Sequence, residues 1–290
     1  MKTRKGIILA GGAGTRLYPI THVVSKQLIP LYDKPMIYYP LATLMQGGIR
    51  EILIISTPSH IDQYKKLLKD GSQWGVEIQY IIQPSPDGLA HSFILGEEFI
   101  DESPSTLILG DNFFYGENLP SLLKAAADRR DTSSIFAYHV KDPSRYGIVN
   151  FDSHDNVLDI EEKPKKPKSN FAVTGLYFYD ENAVRFAKEL SPSKRGELEI
   201  TDLNKRYLKT KKLKVTILKS GFSWLDTGTH DSLLEASNFV SIIQNRQGLK
   251  IACLEQIALE NQWISVKDLE KQISNIGSNS YEEYLKSIIS

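Results

Sequence analysis

The strongest constraint on the fold is a buried strand that runs directly into a glycine-rich loop. Residues 7–10 are four apolar residues in a row, as in a strand buried on both faces. The loop that follows contains Gly11, Gly12, Gly14 and Thr15. Glycines tolerate positive φ and leave no Cβ in the way, so successive backbone N–H groups can converge on one anion. The sequence therefore predicts an α/β chain that binds phosphate where its first strand ends.

Two common phosphate-binding motifs do not match this loop. In the register of Gly12 and Gly14, the third glycine of the dinucleotide motif would fall on Leu17. The Gly-Lys pair of the P-loop motif is also missing. Arg16 lies inside the loop and Lys26 ten residues later, and both add permanent positive charge where a polyphosphate would lie. Two interpretations stay open here: a phosphate loop of another kind, or an ordinary glycine-rich turn with a surface Arg–Lys pair.

Alternating strand and helix patterns in the first half of the chain predict a Rossmann-like, mostly parallel central sheet flanked by helices. Strands are predicted over residues 51–56, 76–82 and 106–109, and helices over residues 36–45, 60–69 and 89–99. Pro40 inside the first helix predicts a kink or a late start. Ligands collect at the carboxyl ends of strands in such sheets, and the glycine loop, residues 83–88 and Asp111 all lie at those ends.

The pattern changes from residue 133 onward. Strand-like segments predominate there, at residues 134–139, 147–151, 157–161 and 172–179, and they predict a β-rich subregion continuous with the first sheet. Helices over 181–190 and 198–209 and a strand over 213–218 follow. The tail from Ser232 is predicted to be helical, with interruptions near Gly248 and Gly277.

Charge and composition exclude several classes of partner. Lys and Arg together number 35, as do Asp and Glu, so the net charge is zero. Neither duplex nucleic acid nor an anionic membrane surface is therefore expected as a partner. The single Cys253 excludes an intrachain disulfide and fits a reducing compartment. The apolar run after Lys5 is too short for an export signal, and no run is long enough to cross a bilayer, so we expect a cytoplasmic protein.

Two aspartates in predicted loops are candidate metal ligands. Asp111 follows a strand and precedes Asn112, and Asp226 lies in the sequence Trp-Leu-Asp-Thr-Gly. Mg²⁺ takes one or two protein carboxylates together with phosphate oxygens, so this pair suits a magnesium–nucleotide site. Each aspartate alone is also typical of a capped turn. The six histidines are not spaced as a metal cluster, and the apolar surroundings of Cys253 favour a core position over a nucleophile.

Several separate blocks resemble the sugar-phosphate nucleotidylyltransferases. The blocks are residues 11–19, 25–27, 33–40, 110–112 and 225–228, and the likeness runs from Lys5 to about Leu285. They are most similar to the members of that family that use deoxythymidine triphosphate (dTTP) and glucose 1-phosphate. The resemblance implies that the chain forms dTDP-glucose and pyrophosphate, at the start of dTDP-rhamnose supply for bacterial surface polysaccharides such as O antigen.

The resemblance also implies a role for each matching residue. Nucleotide contacts fall to Gly11, Gly12, Gly14, Thr15, Arg16, Lys26, Gln27, Gln83, Gly88 and Asp111. Among these, Arg16 and Lys26 would be catalytic, Gln83 would read the pyrimidine edge with its donor and acceptor, and Gln27 would lie near the deoxyribose. The sugar phosphate would be bound by Asn112, Tyr146, Gly147, Glu162, Lys163 and Val173. Asp111 and Asp226 would hold Mg²⁺. Without the resemblance, Gln83 could be an ordinary residue at a strand end, and residues 161–164 an exposed charged turn.

The implied organisation is an α/β nucleotidyltransferase domain over residues 1–240 and a C-terminal helical extension over 241–290. Within the domain, residues 1–130 would bind the nucleotide and residues 131–230 the sugar phosphate. The family further implies a homotetramer whose C-terminal helices help to bind a regulatory nucleotide sugar. Two alternatives stay open: the same reaction with UTP, because a missing methyl group is weakly discriminated, and a nucleotide-sugar sensor without turnover. The metal pair together with Arg16 and Lys26 favours an enzyme over a sensor.

Overall fold

The computed structural model describes residues 2–12, 14–154 and 156–290. Its strands are β1 Lys5–Ala10, β2 Pro30–Leu31, β3 Lys34–Pro35, β4 Glu51–Ser56, β5 Glu77–Ile82, β6 Ser105–Leu109, β7 Asn112–Tyr115, β8 Ser133–His139, β9 Gly147–Phe151, β10 Val157–Glu162, β11 Phe171–Tyr179, β12 Leu213–Leu218 and β13 Ser223–Asp226. Its α-helices are α1 Tyr38–Gln46, α2 Ile61–Leu68, α3 His91–Leu95, α4 Glu97–Ile100, α5 Leu119–Ala127, α6 Ala183–Lys188, α7 Ile200–Lys209, α8 His230–Gln247, α9 Leu254–Glu260, α10 Val266–Ile273 and α11 Ser280–Ser287.

A nine-stranded sheet forms the centre of the molecule, and the predicted α/β class is confirmed. Seven of its strands follow the order β10-β9-β11-β6-β1-β4-β5, while β8 pairs with β11 and β12 pairs with β8. β1 pairs in parallel with both β4 and β6, and β4 pairs in parallel with β5. β11 joins antiparallel to β6, so the β-rich second half extends the same sheet. The parallel strands and the strands of the predicted sugar-binding region therefore belong to one sheet.

The apolar runs of the central strands divide between two hydrophobic cores. Ile7 and Leu9 point to the face that holds α3, α6 and α7, whereas Ile8 and Ala10 point to the face that holds α1 and α5. Such alternation follows from the two-residue period of a strand, and burial on both faces explains the absence of polar residues in the run. The second face also packs against Leu254 of the C-terminal helices.

Two helices differ from the sequence-based prediction. α1 begins at Tyr38 rather than at Met36, which leaves Pro40 in the first turn, where its missing N–H has no acceptor to lose. The single helix predicted over residues 89–99 is instead two short helices, α3 and α4, that meet at Gly96. A Cβ at Gly96 would come within 3.1 Å of Leu53 Cδ2, so the chain passes close over β4 there.

The C-terminal helices share one core with the sheet. α8 begins with a capping box at Thr229 and Ser232 and ends at Gly248, whose φ is 66°. The division proposed between residues 240 and 241 lies inside this one helix. Among residues 2–12, 14–154 and 156–290, no helix has the length and apolarity that a membrane crossing requires.

Candidate active site

A cavity of about 450 Å³ opens at the carboxyl ends of the parallel strands, between the two halves of the sheet. Its walls include nine residues that the sequence assigned to a site: Arg16, Asp111, Asn112, Tyr146, Gly147, Glu162, Lys163, Val173 and Asp226. These residues come from loops and strands more than 200 positions apart. At one end of the cavity lie the residues assigned to phosphate and metal, and at the other, called the sugar end below, lie the residues of β9–β11 assigned to the sugar phosphate.

A two-stranded ribbon positions the two aspartates. β7 and β13 pair antiparallel with Asn112 opposite Asp226, so Asp111 and Asp226 project from the same end of the ribbon. The side chain and backbone N–H of Thr227 both donate to the carbonyl oxygen of Asp111, at 3.0 and 3.2 Å, which ties the two loops together. The juxtaposition predicted from two separate loops is therefore produced by local strand pairing.

Lys26 neutralises one of the two carboxylates. Lys26 Nζ lies 2.5 Å from Asp111 Oδ2, and Asn112 Nδ2 donates to Asp111 Oδ1 at 2.9 Å. Burial by itself would raise the pKa of Asp111, but the charge and hydrogen bond of Lys26 outweigh it and hold that pKa below its usual range. Asp111 is therefore ionised at neutral pH, as a candidate metal ligand should be.

The second carboxylate, Asp226, has a more distant cation than Asp111 has, and it also accepts a hydrogen bond from Tyr146. Arg145 Nη2 lies 3.5 Å from Asp226 Oδ2. Burial raises the pKa of Asp226, and although Arg145 opposes this, the negative charge of Asp111 adds to it. A further cation between the carboxylates would relieve this repulsion. In the described part of the chain no group of three or more His, Cys, Asp or Glu side chains has the arrangement of a metal site, so the candidate donors here are the two carboxylates of Asp111 and Asp226. Such a donor set fits a hard divalent cation that is also bound by phosphate oxygens.

Arg16 lies against the loop that carries the second aspartate. A Cβ on Gly228 would come within 3.0 Å of Arg16 Nη2, so the guanidinium rests on the backbone just after Asp226. Arg16 is exposed, whereas Lys26 is buried beside Asp111. Two permanent cations thus flank the carboxylate pair, one buried and one at the surface of the cavity.

The other residues assigned to nucleotide binding do not line the cavity. They are Gly11, Gly12, Gly14, Thr15, Gln27, Gln83 and Gly88. Lys26 is also outside the cavity walls, but it contacts Asp111, which lines them. The Gln83 amide lies directly over Gly11, where a Cβ would collide with its oxygen. Gly14 has a φ of 62°, which favours glycine. Gly88 has a φ of 103° and lies against the backbone of Leu198, so the turn after β5 is closed by the loop before α7.

A network around Glu162 forms the sugar end of the cavity. Thr201 Oγ1 donates to Glu162 Oε2 at 2.6 Å, and Lys163 Nζ lies 3.7 Å from Glu162 Oε1. A Cβ on Gly147 would come within 3.1 Å of Thr201 Oγ1 and 3.4 Å of Glu162 Oε2, so Gly147 allows the carboxylate to approach the strand. One carboxylate and one ammonium side by side suit a neutral sugar that carries an anionic phosphate.

Aromatic side chains close the wall between the two ends. Trp224 Nε1 donates to Asn112 Oδ1 at 2.6 Å, and Gly175 N donates to the same oxygen at 3.1 Å. Tyr146 packs edge-on against Trp224, with 5.3 Å between ring centroids. The Asn112 carbonyl oxygen is thus fully used by the protein, and only its amino group, shared with Asp111, is left to face a ligand.

Sequence reasoning assigned no role to several residues that line or support the cavity. Arg145 directly precedes Tyr146, and Trp224 lies in the Trp-Leu-Asp-Thr-Gly segment that contains Asp226, so their closeness to assigned residues was a usable signal. Thr201 and Arg195 had no such signal in the sequence, because they reach Glu162 only across the fold. Arg195 lies 3.8 Å from Glu162 and pairs with Glu199 at 2.8 Å. Cys253 lies elsewhere, buried as predicted, and burial raises its pKa to about 12, which suits a core thiol.

Comparison with known proteins agrees with this geometry. Residues 5–242 match the family model described as nucleotidyl transferase. A glucose-1-phosphate thymidylyltransferase of Neisseria meningitidis is 58% identical over 281 residues, which cover 97% of this chain and 98% of that protein. The protein of that name from Xanthomonas campestris (strain B100) is 56% identical over 288 residues, which cover 99% of this chain and 98% of that protein.

Solved structures support the same assignment. A putative glucose-1-phosphate thymidylyltransferase from Bacillus anthracis, in complex with a sucrose, superposes with a TM-score of 0.76 at 40% identity, covering 82% of this chain and 95% of that chain. A UDP-glucose pyrophosphorylase complexed with UDP-glucose gives 0.72 at 26% identity, covering 83% and 100%. The uracil-using enzyme is thus the more distant relative of these. The chain belongs to the nucleotidyl transferase family, and within it to the glucose-1-phosphate thymidylyltransferases.

Proposed function

We propose that a thymidylyl group passes from dTTP to glucose 1-phosphate in the cavity, giving dTDP-glucose and pyrophosphate. The observation that carries this proposal is the single cavity in which Asp111 and Asp226 face Glu162 and Lys163. This arrangement supports a reaction in which a metal-bound triphosphate and a sugar phosphate meet in one cavity. The names of the relatives give the two substrates.

The nucleotide residues divide by chemistry. Gln83 pairs with the polar edge of the thymine, and Gly11 and Gly88 leave room for the ring and sugar beside it. The backbone N–H groups of Gly12, Gly14 and Thr15 point to the phosphates. Arg16 binds the departing β- and γ-phosphates, and Lys26 stabilises the charge that develops on the oxygens of the α-phosphorus.

Asp111 and Asp226 are proposed to hold Mg²⁺. A divalent cation held by these carboxylates would supply positive charge against the triphosphate. Lys26 keeps Asp111 ionised, and Asn112 fixes one of its oxygens, so the protein holds this ligand in place before the nucleotide arrives.

The sugar residues place the attacking group. Glu162 accepts hydrogen bonds from glucose hydroxyls, with Thr201 holding its other oxygen, and Lys163 binds the sugar phosphate. Tyr146, Gly147, Val173 and the amino group of Asn112 line the rest of the sugar end. A phosphate monoester with a second pKa near 6 is already a dianion at neutral pH, so it needs no general base. Holding it in line with the leaving pyrophosphate can contribute roughly 7–11 kcal/mol to catalysis.

Pyrophosphate release tests the proposal. Purified protein is incubated with Mg²⁺, glucose 1-phosphate and each nucleoside triphosphate in turn, with omission of the sugar phosphate as the control. We expect release with dTTP that depends on glucose 1-phosphate. Dominant turnover with UTP would identify a uridylyltransferase instead, and tight binding of dTTP without release would identify a sensor.

Feedback regulation and oligomerisation are proposed together with the activity, as part of dTDP-rhamnose supply. A second cavity of about 270 Å³ lies between α1, the far end of β7 and the start of the C-terminal helices. Its lining includes Tyr115 and Gly116, and the ribbon that contains Tyr115 ends at Asp226 and Asn112 in the active site. A nucleotide sugar bound there would be coupled to the metal ligands through β7.

The proposed assembly is a homotetramer. Leu234 and Ile242 of α8 are large apolar side chains that are mostly exposed in the single chain, as expected of a helix that packs against another copy. Light scattering gives the mass of the assembly. A monomer in solution would contradict the tetramer without affecting the proposed reaction.

A further inference from the structure

Thr227 joins three segments of the chain behind the cavity wall. It directly follows the second candidate metal ligand, Asp226, and it is completely buried. Its Oγ1 lies 3.0 Å from the carbonyl oxygen of Asp111, the first candidate ligand, and 3.0 Å from the sulfur of Met36. Met36 belongs to the block 33–40, which resembles the family but had no assigned role. The hydroxyl therefore lies where both ligand loops meet that block.

The direction of these two contacts follows from the chemistry of the neighbours. A carbonyl oxygen and a thioether sulfur can only accept, so the hydroxyl of Thr227 is the donor to both. The thioether of Met36 is the weaker acceptor, which makes the Asp111 carbonyl the main partner. The backbone N–H of Thr227 donates to the same carbonyl oxygen at 3.2 Å. One residue thus holds the backbone of Asp111 with two donors.

Met36 is itself connected to the turn that carries Lys26. The backbone N–H of Ile37, the next residue, donates to the carbonyl oxygen of Gln27 in that turn at 2.8 Å. Lys26 Nζ in turn lies 2.5 Å from Asp111 Oδ2. The threonine hydroxyl therefore closes a ring of contacts that contains both the first candidate ligand and the lysine that pairs with it.

The ring lies where the two carboxylates leave the β7–β13 ribbon. Holding two carboxylates near each other costs energy when no cation lies between them, because like charges repel. The ribbon fixes the backbone as far as the pair of Asn112 and Asp226. Asp111 and Thr227 are the next two residues across the ribbon, so their contact extends the strand pairing by one step. The hydroxyl strengthens that last step against the repulsion.

We propose that Thr227 is a positioning residue for the divalent cation. Its hydroxyl holds the backbone of Asp111 so that the carboxylates of Asp111 and Asp226 stay close enough to bind one ion. This inference rests on the proposed function, which assigns that ion to the two aspartates. Because Thr227 is buried, it acts through Asp111 and touches neither the ion nor a substrate.

The test measures binding of Mn²⁺ to the whole protein without substrates. Mn²⁺ suits the same oxygen ligands as Mg²⁺, and electron paramagnetic resonance counts the free ion without any turnover. Asp226→Asn defines the site, because it should abolish the binding that the two aspartates provide. Thr227→Val replaces the hydroxyl with a methyl group and keeps the backbone donor, so the fold should survive.

Thr227→Val should raise the dissociation constant of Mn²⁺ about 3- to 10-fold, which is the range for one neutral hydrogen bond. Thr227→Ser keeps the hydroxyl and should bind Mn²⁺ within about twofold of the wild type. Thr43→Val is the matched control, because Thr43 is also buried and its hydroxyl donates to the carbonyl oxygen of Tyr39 at 3.0 Å. It should leave the Mn²⁺ affinity unchanged. A purely structural role of Thr227 would not separate the two threonine-to-valine variants in this assay.

Every other result counts against the inference. Wild-type Mn²⁺ affinity in Thr227→Val, with binding abolished in Asp226→Asn, overturns it and leaves the proposed function standing. Equal weakening in Thr227→Ser and Thr227→Val would assign the effect to packing of the methyl group and not to the hydroxyl. Unchanged binding in Asp226→Asn would remove the proposed metal site itself. Should Thr227→Val not fold, Thr227→Ala must bind Mn²⁺ more weakly than Thr227→Ser, or the inference is wrong.

Discussion

At the scale of single residues, we expect the ion pair of Lys26 and Asp111 to affect both the stability of the protein and its catalytic rate. Negative charge on the α-phosphate oxygens grows in the transition state, so a cation there should affect rate more than affinity. Lys26→Ala is expected to lower kcat about 100-fold or more, with a smaller rise in the Michaelis constant for dTTP. Steady-state kinetics measure both constants.

The control for Lys26 is an exposed lysine in a comparable ion pair. Lys65→Ala removes a lysine that lies 3.4 Å from Asp62 on the surface, and it should leave both constants unchanged. A change confined to the Michaelis constant in Lys26→Ala would show that this lysine anchors the ground state and does not act on the transition state.

We expect the two aspartates to differ in their effect on stability, and we expect both to be needed for activity. The pKa of Asp111 is lowered, so its ionised form stabilises the fold above its unfolded pKa, and this contribution is lost as the pH falls through the folded value. The pKa of Asp226 is raised, so its ionisation costs stability as the pH rises through the folded value.

At pH 7 without metal, Asp111→Asn should therefore lower the free energy of unfolding, and Asp226→Asn should keep or increase it. Both should abolish metal-dependent turnover. Denaturant titrations and pyrophosphate assays provide the two readouts. Full activity in either variant would remove that residue from the metal site, and a loss of stability in Asp226→Asn would contradict the electrostatic assignment.

Individual site residues differed in how far the sequence could predict them. Asp111, Asp226 and Glu162 lie in local blocks, and the structure brings them into one cavity. Thr201 and Arg195 could not be found, because each contacts Glu162 only after α7 and its preceding loop have folded against β10. Pairings of that kind depend on tertiary packing and leave no local pattern.

At the scale of elements, the turn after β5 is held by the loop before α7. Gly88 adopts a φ of 103°, and the backbone of Leu198 occupies the place of its missing Cβ. Leu198 N donates to the carbonyl oxygen of Asp87, at 2.8 Å. This contact connects the turn that follows Gln83 with the helix that carries Thr201, and so links the two ends of the active site.

Gly88→Ala should destabilise the protein by more than backbone strain alone. Gly221→Ala is the matched control, because Gly221 has a φ of 99° but open space where a Cβ would lie. The control is expected to cost about 1–2 kcal/mol, and Gly88→Ala clearly more, with a loss of activity. Equal free energies of unfolding for the two variants would show that the contact with Leu198 has no structural importance.

Element boundaries show where local patterns succeed and where packing overrides them. The predicted bounds of β4, β9 and β12 are confirmed. In β4 the reason is clear, because its buried apolar run ends where the strand leaves the core. The helix predicted over residues 89–99 is wrong as one unit, because the close approach of Gly96 to Leu53 divides it. That approach depends on the distance between two layers, which no local pattern contains.

At the scale of the whole molecule, the fold places both sets of predicted binding residues on one sheet. The residues assigned to the nucleotide follow the parallel strands, and those assigned to the sugar phosphate lie on or near the antiparallel strands added through β11. The alternation of strands and helices predicted the first part from sequence, and the change of pattern after residue 133 predicted the second. The common core of sheet and C-terminal helices was not predictable, because the helices have amphipathic patterns that do not specify their partner.

The molecule as a whole favours direct transfer over a covalent intermediate. A nucleotidyl-enzyme needs an activated nucleophile with a base beside it. His22 lies in the turn Ile20–His22 against Tyr18, with 6.2 Å between the rings, and Cys253 is buried with its pKa raised to about 12. Arg16 and Lys163 instead line one cavity from opposite ends, which suits the alignment of two phosphates.

The stereochemical course at the α-phosphorus tests this account most directly. The substrate is dTTP made chiral at that phosphorus by one sulfur atom, and the configuration of the resulting dTDP-glucose analogue is determined. One in-line displacement by glucose 1-phosphate predicts net inversion. Net retention would require two displacements, and therefore a covalent intermediate on the protein, and would contradict direct transfer between substrates held in one cavity.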